Sequence, residues 1–458
     1  MRRKFDQSLI QTRICLLIAR VCLSALVLTT IPERACAEDV VSEQTTAKYQ
    51  TTYNWQWHPS FSGGPSSSVK SLSSSAERMY TFSATAHLGM RLWEGAEAYV
   101  NPEIASGLPF SGDVVGLGSF TNGEITRSAG TDPKPYLQRL FLRQTWNNGG
   151  GSERVEADFN QIAGQVDKNR FVLTVGNFST LDVFDRNAYA KDPRTQFMNW
   201  GSWTYAAYDY AADARGFGWG FAGEWYQNDW VFRFGRMTAP RVPNGLALDP
   251  ALNRQYGDQV EIEKAYSLGA LPGKLRVLGW RNRGVLASFD EATAYLLSHP
   301  GANPQTILNV RQNEKIKYGL GINVEQALSE ELGMFLRVMK ADGKTETQGF
   351  TEVDQSLATG LLLKGALWGR ANDSAGLALL MNGLSPERRR YLAAGGLSFF
   401  IGDGSLKYRP ETIIESFYSW GLIKNVWLTG GYQHIQNPAY NAQRGPVDVL
   451  AVRFHAEY

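Results

Sequence analysis

The last twelve residues of the chain, 447–458, alternate between two kinds of side chain. Counting back from the end in steps of two gives Tyr458, Ala456, Phe454, Val452 and Leu450. The positions between them include Glu457, His455 and Arg453. Because side chains two residues apart share one face of a β-strand, this segment predicts a strand with one apolar side and one charged side.

The same two-residue period recurs along the chain. It is clearest in residues 49–57, 80–91, 217–221, 230–234, 377–381 and 427–433. Aromatic residues are frequent toward the ends of these segments, where the two membrane interfaces of a barrel require them. Residues 38–458 contain no apolar run of 18 residues, the length that a membrane-spanning helix needs. The pattern therefore favours a membrane protein that crosses with strands.

The segments between the predicted strands differ in length. Residues 62–77, 105–133 and 239–258 are long and rich in Ser, Gly, Thr, Pro or Asn, whereas 270–273 and 329–331 are short. Long loops at one end and tight turns at the other are typical of up-and-down barrels. The length allows roughly 14 to 18 strands. We predict an all-β fold, a transmembrane antiparallel up-and-down β-barrel of about 16 strands with a water-filled lumen and an inward-folded loop.

The N-terminus predicts export. Arg2, Arg3, Lys4 and Arg13 precede the apolar run 21–31, and the small residues of 35–37 form a cleavage site. We expect residues 1–37 to be a secretory signal peptide and 38–458 to be a single outer-membrane barrel domain. All three cysteines fall within the expected signal, at Cys15, Cys22 and Cys36. The exported chain is thus expected to carry neither a disulfide nor a cysteine nucleophile.

Charge and histidine spacing exclude several functions. Without the expected signal the chain has 40 basic and 42 acidic residues, a net charge near −2. This balance does not indicate a nucleic-acid partner. The five histidines are scattered without metal-ligand spacing, so we expect neither a metal nor another cofactor.

The final residue, Tyr458, resembles the C-terminal aromatic residue of outer-membrane barrels. This resemblance implies recognition by the barrel-assembly machinery, and a surrounding of outer-membrane lipid and lipopolysaccharide. A soluble strand-rich sandwich is the alternative fold. It explains the alternation, but it gives no reason for a terminal strand that ends on an aromatic residue.

Several motifs together resemble the carbohydrate-selective porin family, and they occur in the family's order along nearly the whole exported chain. They are YLQRLFLRQT at 136–145, DPRTQFMNW at 192–200, DYAADARG at 209–216, NGLS at 382–385, YLAAGGLSFFIGDG at 391–404, NPAYN at 437–441 and RGPV at 444–447. Ala214 departs from the threonine that we expect before Arg215. The resemblance implies a barrel of about sixteen strands through which monosaccharides, and at the upper size limit small oligosaccharides, diffuse passively into the periplasm. It implies no enzymatic activity.

Two arginines are the first candidates for contact with the solute. Arg139 and Arg143 are four residues apart in a predicted strand and therefore share one face. A charge on the lipid face costs about 2–4 kcal/mol at the midplane, so both side chains are expected to point into the lumen. Guanidinium groups offer several donors that suit paired hydroxyls. The alternative is that both arginines only balance lumenal acids.

Two further groups of polar residues are candidate pore-lining positions. Four alternate along a second predicted strand, at Glu97, Tyr99, Asn101 and Glu103. Five charges lie in the long polar segment 182–215, which we expect to fold inward: Asp182, Asp185, Arg194, Asp213 and Arg215. In both groups, internal pairing of charges competes with a role in solute selection. The tripeptide 388–390 is interpreted as a solvated or lipopolysaccharide-facing arginine cluster.

Other functions are less consistent with the sequence. A general diffusion porin that sieves by size alone is the main alternative. A barrel enzyme requires a Ser/His pair at the outer rim, which the sequence does not indicate, and a polysaccharide exporter favours a more basic lumen. The sequence identifies neither the preferred sugar nor the oligomeric state, monomer or trimer.

Overall fold

A computed structural model describes residues 43–64, 70–128, 130–302, 304–350 and 352–458. The expected signal peptide, residues 1–37, lies outside the described residues. Sixteen of the eighteen strands form one closed barrel, in which each strand pairs antiparallel with its neighbours. The first strand pairs with the last, for example Tyr53 opposite Phe454, and this pairing closes the sheet. The prediction of an antiparallel barrel of about 16 strands is confirmed.

The strands have the following bounds: β1 Thr45–His58, β2 Glu77–Trp93, β3 Ala96–Leu108, β4 Lys134–Asn147, β5 Ser152–Val155, β6 Gly164–Asp167, β7 Arg170–Phe178, β8 Gly218–Gln227, β9 Trp230–Thr238, β10 Tyr256–Leu268, β11 Leu271–Val285, β12 Glu314–Ala327, β13 Leu332–Ala341, β14 Gln355–Lys364, β15 Ser374–Gly383, β16 Glu411–Ile423, β17 Val426–Gln436 and β18 Val447–Glu457. Strands β5 and β6 form a separate two-stranded hairpin. Among the described residues, three α-helices lie in connections: α1 Trp200–Trp203, α2 Phe289–Ser298 and α3 Pro386–Ala393. No helix among the described residues is long and apolar enough to cross a membrane.

The alternation of side chains decides which face of each strand meets lipid. In β18, Leu450 and Val452 are exposed on the outside, whereas Arg453 and His455 are buried inside. An apolar outer face avoids the cost of charge in hydrocarbon, and barrel closure gives every strand a hydrogen-bonded neighbour. The final strand thus has the two faces that its sequence predicts.

The two ends of the barrel carry different connections. At one end the strands join through short turns, such as 94–95, 228–229, 269–270 and 424–425. At the other end the connections are long, among them 109–133, 179–217 and 384–410. Outer-membrane barrels place short turns in the periplasm and long loops outside the cell, which assigns the two ends here.

One connection at the periplasmic end departs from this rule. Residues 148–169 join β4 to β7 and contain the β5–β6 hairpin. This segment, which we call the periplasmic insertion, extends into the lumen, where Ile162 is 2% exposed. A long connection at this end was not among the predictions made from the sequence.

The extracellular connection 179–217, which we call the inner loop, also folds into the lumen. Wall carboxylates hold its backbone in place. Glu261, Glu325 and Glu415 accept hydrogen bonds from the backbone N–H groups of Asp185, Ala188 and Met198, at 2.9, 2.8 and 2.6 Å. On the last strand, Arg453 donates to the carbonyls of Pro193 and Gln196, both at 2.8 Å. Because the anchors come from β10, β12, β16 and β18, they tie the inner loop to the wall at several points around the lumen.

The arginine cluster at 388–390 differs from its interpretation as a solvated surface. Arg388, in α3, is 0% exposed and forms ion pairs with Glu352 and with Asp354, the latter at 2.9 Å. Arg390 does reach solvent, where it pairs with Asp290 at 2.9 Å. A buried guanidinium requires paired acids, and the two that pair with Arg388 come from a distant part of the chain.

Candidate functional site

Two cavities inside the barrel share a boundary. The outer cavity, about 280 Å³, lies toward the extracellular end, and the inner cavity, about 810 Å³, lies toward the periplasmic end. Five residues line both cavities: Phe159, Asn160, Leu181, Asp182 and Lys191. The first two belong to the periplasmic insertion and the other three to the inner loop. The boundary is therefore built by two segments that enter the lumen from opposite ends.

Arg139 lies on the outer side of this boundary and forms a two-pronged ion pair. Its Nε and Nη2 atoms donate to the two carboxylate oxygens of Asp182, at 2.7 and 2.6 Å. Asp182 also accepts a hydrogen bond from the backbone N–H of Ser179 at 2.9 Å. Burial opposes ionisation of Asp182, but the Arg139 guanidinium outweighs it and holds the pKa of that carboxyl below its ordinary value. Arg139 is thus a fixed cation with part of its surface toward the outer cavity.

A β-bulge adds a second polar side chain beside Arg139. Asn101 on β3 is opposite Arg139, but the next residue, Pro102, is opposite Leu137, so Gln138 is the extra residue of the bulge. Gln138 is fully buried and donates to Glu103 at 2.8 Å. The bulge therefore turns two neighbouring residues of one strand toward the interior.

Arg143 lies on the inner side of the boundary. It lines the inner cavity, and its Nη1 donates to the backbone carbonyl of Asn160 at 2.9 Å. Its guanidinium lies over the ring of Tyr99 at 5.3 Å and 3.9 Å from the carboxylate of Glu97. Arg143 therefore both anchors the periplasmic insertion and lines the inner cavity.

The four candidate residues on β3 separate into two groups. Glu97 lines the inner cavity. Tyr99, Asn101 and Glu103 are all buried. Tyr99 stacks on Phe141 with ring centres 5.0 Å apart, and its hydroxyl donates to Glu97 at 2.7 Å. Asn101 shares a hydrogen bond of 2.6 Å with His87, while Glu103 accepts from Arg194 at 2.7 Å. These contacts fit structural pairing better than direct contact with a solute.

The remaining candidates on the inner loop also differ in their surroundings. Asp185 is 0% exposed and accepts hydrogen bonds from Arg337 at 2.9 Å and Asn323 at 2.6 Å. Arg194 lines the outer cavity but pairs with Glu103 and, at 2.9 Å, with Glu124.

The last two candidates lie in the tight turn that ends the inner loop. Asp213 accepts hydrogen bonds from the backbone N–H groups of Arg215 at 2.9 Å and Phe217 at 3.1 Å, and burial raises its pKa. Arg215 lines the outer cavity, and its guanidinium lies 4.2 Å from the ring centre of Tyr136.

An aromatic wall lines the outer cavity beside these charges, and its members were not among the sequence candidates. It consists of Trp200, Trp203, Tyr210 and Phe217. Trp200 and Tyr210 have nearly parallel rings, 6° apart at a centre separation of 6.4 Å. The abundance of Trp and Tyr in this loop was visible in the sequence, but which rings share one wall was not.

The boundary residues Phe159, Asn160, Leu181 and Lys191 were also missed by the sequence analysis. For the first two, the only local signal is an aromatic residue between Asp158 and Asn160, which are turn-forming residue types. Lys191 donates to the backbone carbonyl of Leu181 inside the inner loop.

The arrangement suits a neutral solute that is rich in hydroxyl groups. Guanidinium and carboxylate groups supply fixed donors and acceptors, and aromatic faces pack against apolar C–H surfaces. Within the described ranges, no cluster of three or more His, Cys, Asp or Glu side chains is placed to hold a metal ion.

Comparison with known proteins gives the family. The family model for the carbohydrate-selective porins, OprB family, matches residues 70–458. The high-pH structure of Pseudomonas putida OprB is similar at a TM-score of 0.65 and 14% identity, covering 91% of this chain and 94% of that one. Its low-pH structure matches at a TM-score of 0.48 and 11% identity, over 91% and 93% of the two chains. The Acinetobacter baumannii channel DcaP matches at 0.49 and 6%, over 90% and 97%. No curated protein sequence matches the chain. The chain belongs to the OprB family of carbohydrate-selective porins, outer-membrane channels for sugars.

Proposed function

We propose that monosaccharides cross this barrel by passive diffusion from the outer cavity, past the Arg139–Asp182 pair, into the inner cavity. The observation that carries the proposal is the shared boundary of the two cavities, where fixed charges from the wall and the inner loop meet. Small oligosaccharides are the largest solutes proposed to pass. The matched family model supports sugars as the solute class.

Selectivity is proposed to come from weak contacts that a sugar makes in succession. The wall formed by Trp200, Trp203, Tyr210 and Phe217 offers flat surfaces for the C–H faces of a pyranose ring. Arg139 and Arg215 offer donors to hydroxyl groups beside this wall, where the Arg139 guanidinium lies 5.1 Å from the ring centre of Phe217. Because Arg139 is already paired with Asp182, and the Arg215 guanidinium already lies over the ring of Tyr136, they hold a passing sugar only loosely, as flux through a channel requires.

The candidate residues are proposed to have two kinds of role. Those that line a cavity contact the solute: Arg139, Arg143, Glu97, Asp182, Arg194 and Arg215. Those held within buried or turn contacts position the inner loop and the wall: Tyr99, Asn101, Glu103, Asp185 and Asp213. The division follows from which side chains line a cavity.

The surroundings of the barrel are proposed from the same reasoning. Outer-membrane lipid contacts the apolar outer face, and lipopolysaccharide contacts the extracellular loops. The strand that ends in Tyr458 is proposed to be the segment that the barrel-assembly machinery recognises. Export of the chain is proposed to depend on residues 1–37.

Single-channel recording in planar bilayers tests the sugar pathway. Glucose is expected to block the ionic current in a concentration-dependent manner. A polyethylene glycol of matched size is expected to lower the current only in proportion to the fall in bulk conductivity. Liposome swelling with a panel of sugars then ranks the solutes. Equal effects of the sugar and the size-matched polymer would contradict selectivity and favour the alternative, a general diffusion porin that sieves by size.

A further inference from the structure

The periplasmic insertion places a hydrogen-bonded turn at the boundary between the two cavities. Asp158 and Gln161 exchange two backbone hydrogen bonds, each of 3.1 Å, so that Phe159 and Asn160 form the tip of the turn. Asn160 has a φ of 57°, a left-handed conformation that Asn tolerates at the third position of such turns. Both tip residues line both cavities. The tip therefore lies at the boundary between the two cavities, on its periplasmic side.

Three cationic side chains of the barrel wall hold this segment by its backbone carbonyls. Lys48 on β1 donates to Ala157 at 3.3 Å. Arg143 on β4 donates to Asn160, and Arg91 on β2 donates to Ala163, each at 2.9 Å. Charge-assisted hydrogen bonds from three strands therefore anchor the turn to the barrel wall.

The ring of Phe159 has a defined place. It packs against the imidazole of His87 on β2, with ring centres 4.5 Å apart. From the opposite end, the inner loop supplies Leu181, Asp182 and Lys191 to the same boundary. On the insertion side, the boundary between the cavities is thus formed by the ring of Phe159. On the inner-loop side, it is formed by one apolar and two charged side chains.

We propose that Phe159 and Asn160 are specificity-determining residues that set the upper size of the solute from the periplasmic side. The proposal rests on the proposed function, in which sugars cross this boundary. A ring at the opening limits the width available to a solute and provides an apolar face for a pyranose leaving Arg139. The inner loop and the periplasmic insertion then form the constriction jointly.

Substitutions at Phe159 in opposite directions test the proposal. Phe159→Ala is expected to raise the ratio of trisaccharide to monosaccharide uptake in liposome swelling by about threefold, because the opening widens. Phe159→Trp is expected to lower that ratio. Lys168→Ala is the matched control, because Lys168 lies in the same insertion, is exposed and lines neither cavity. It is expected to leave the ratio unchanged.

Folding is followed in each variant by the heat-induced mobility shift on gels. If Phe159→Ala does not assemble, Phe159→Trp alone decides, since an unchanged ratio in that variant overturns the proposal. The two proposals fail separately. If glucose does not block the current of the wild type, the sugar pathway is rejected. If the wild type is sugar-selective but its size limit does not change when Phe159 is substituted, the role of the insertion is rejected.

Discussion

Arg139 and Arg143 share one face of β4, yet they lie on opposite sides of the boundary between the two cavities. Arg139 lines the outer cavity and pairs with Asp182 of the inner loop, whereas Arg143 lines the inner cavity and donates to Asn160 of the periplasmic insertion. The two infolded segments are thus attached to the same strand, one to each arginine. On the proposed pathway, a solute that crosses the boundary passes both guanidinium groups in turn.

We predict different effects for the two arginines. Arg139→Gln leaves Asp182 without its cation, so sugar-dependent current block is expected to weaken and cation preference to rise. Arg143→Gln releases the carbonyl of Asn160, so the size limit is expected to change more than the block. Sugar block and reversal potentials in planar bilayers measure both effects. Arg139→Lys is the control that keeps the charge without the two-pronged geometry.

Sugar flux in the double variant Arg139→Gln/Arg143→Gln is expected to change while the barrel still folds. Unaltered flux would remove both residues from the pathway. Identical effects of the two single variants would contradict their placement on opposite sides of the boundary.

Asp185 is predicted to stabilise the inner loop rather than to bind solute. Asp185→Asn leaves the buried Arg337 without its anion, which typically costs about 3–5 kcal/mol. The heat-induced mobility shift is therefore expected at a lower temperature. The control is Asp258→Asn, because Asp258 forms partly exposed pairs with Arg236 and Arg281, a class typically worth about 0–1 kcal/mol per pair. An equal shift in both variants would argue against the role of Asp185.

The charge of Lys191 is predicted to make ion selectivity depend on pH. Burial within the inner loop lowers the pKa of Lys191 to about 8. Repulsion from Arg186 and Arg337 also lowers this pKa, whereas attraction to Asp185 and Asp182 raises it. A lysine is cationic below its pKa, so raising the pH from about 7 to about 9 removes a positive charge from the boundary. Cation preference is expected to rise over this interval.

Lys191→Met is expected to abolish that pH-dependent step. Lys264→Met removes a lysine at the periplasmic rim, where it pairs with Asp229 at 3.0 Å, and is expected to retain the step. Reversal potentials in a salt gradient at several pH values provide the measurement. A step of the same size in Lys191→Met would assign it to another group.

Tyr458 is predicted to act in assembly more than in stability. Its side chain is 70% exposed, while its backbone N–H and carbonyl pair with Tyr49 at 2.8 Å each. Tyr458→Ala keeps those backbone bonds, so the folded barrel is expected to change in stability by no more than about 0.5 kcal/mol. The amount of heat-modifiable barrel in the outer membrane is expected to fall. Tyr49→Ala, an exposed aromatic residue on the paired strand, is the control; an equal fall there would contradict specific recognition of the C-terminal residue.

The sequence by itself determined the wall of this protein. Lipid imposes an apolar residue at every second position, and that requirement is local, so the alternation together with the aromatic last residue and the family motifs predicted the barrel. The cost of a charge in lipid predicted the inward direction of Arg139 and Arg143. What only the tertiary structure decided is how the lumen is filled. The partners of Asp185, the burial of Arg388 and the position of Phe159 depend on contacts between residues far apart in the chain. No local period encodes such contacts, because an infolded segment is fixed by the charges and hydrogen bonds of whichever wall strands it meets.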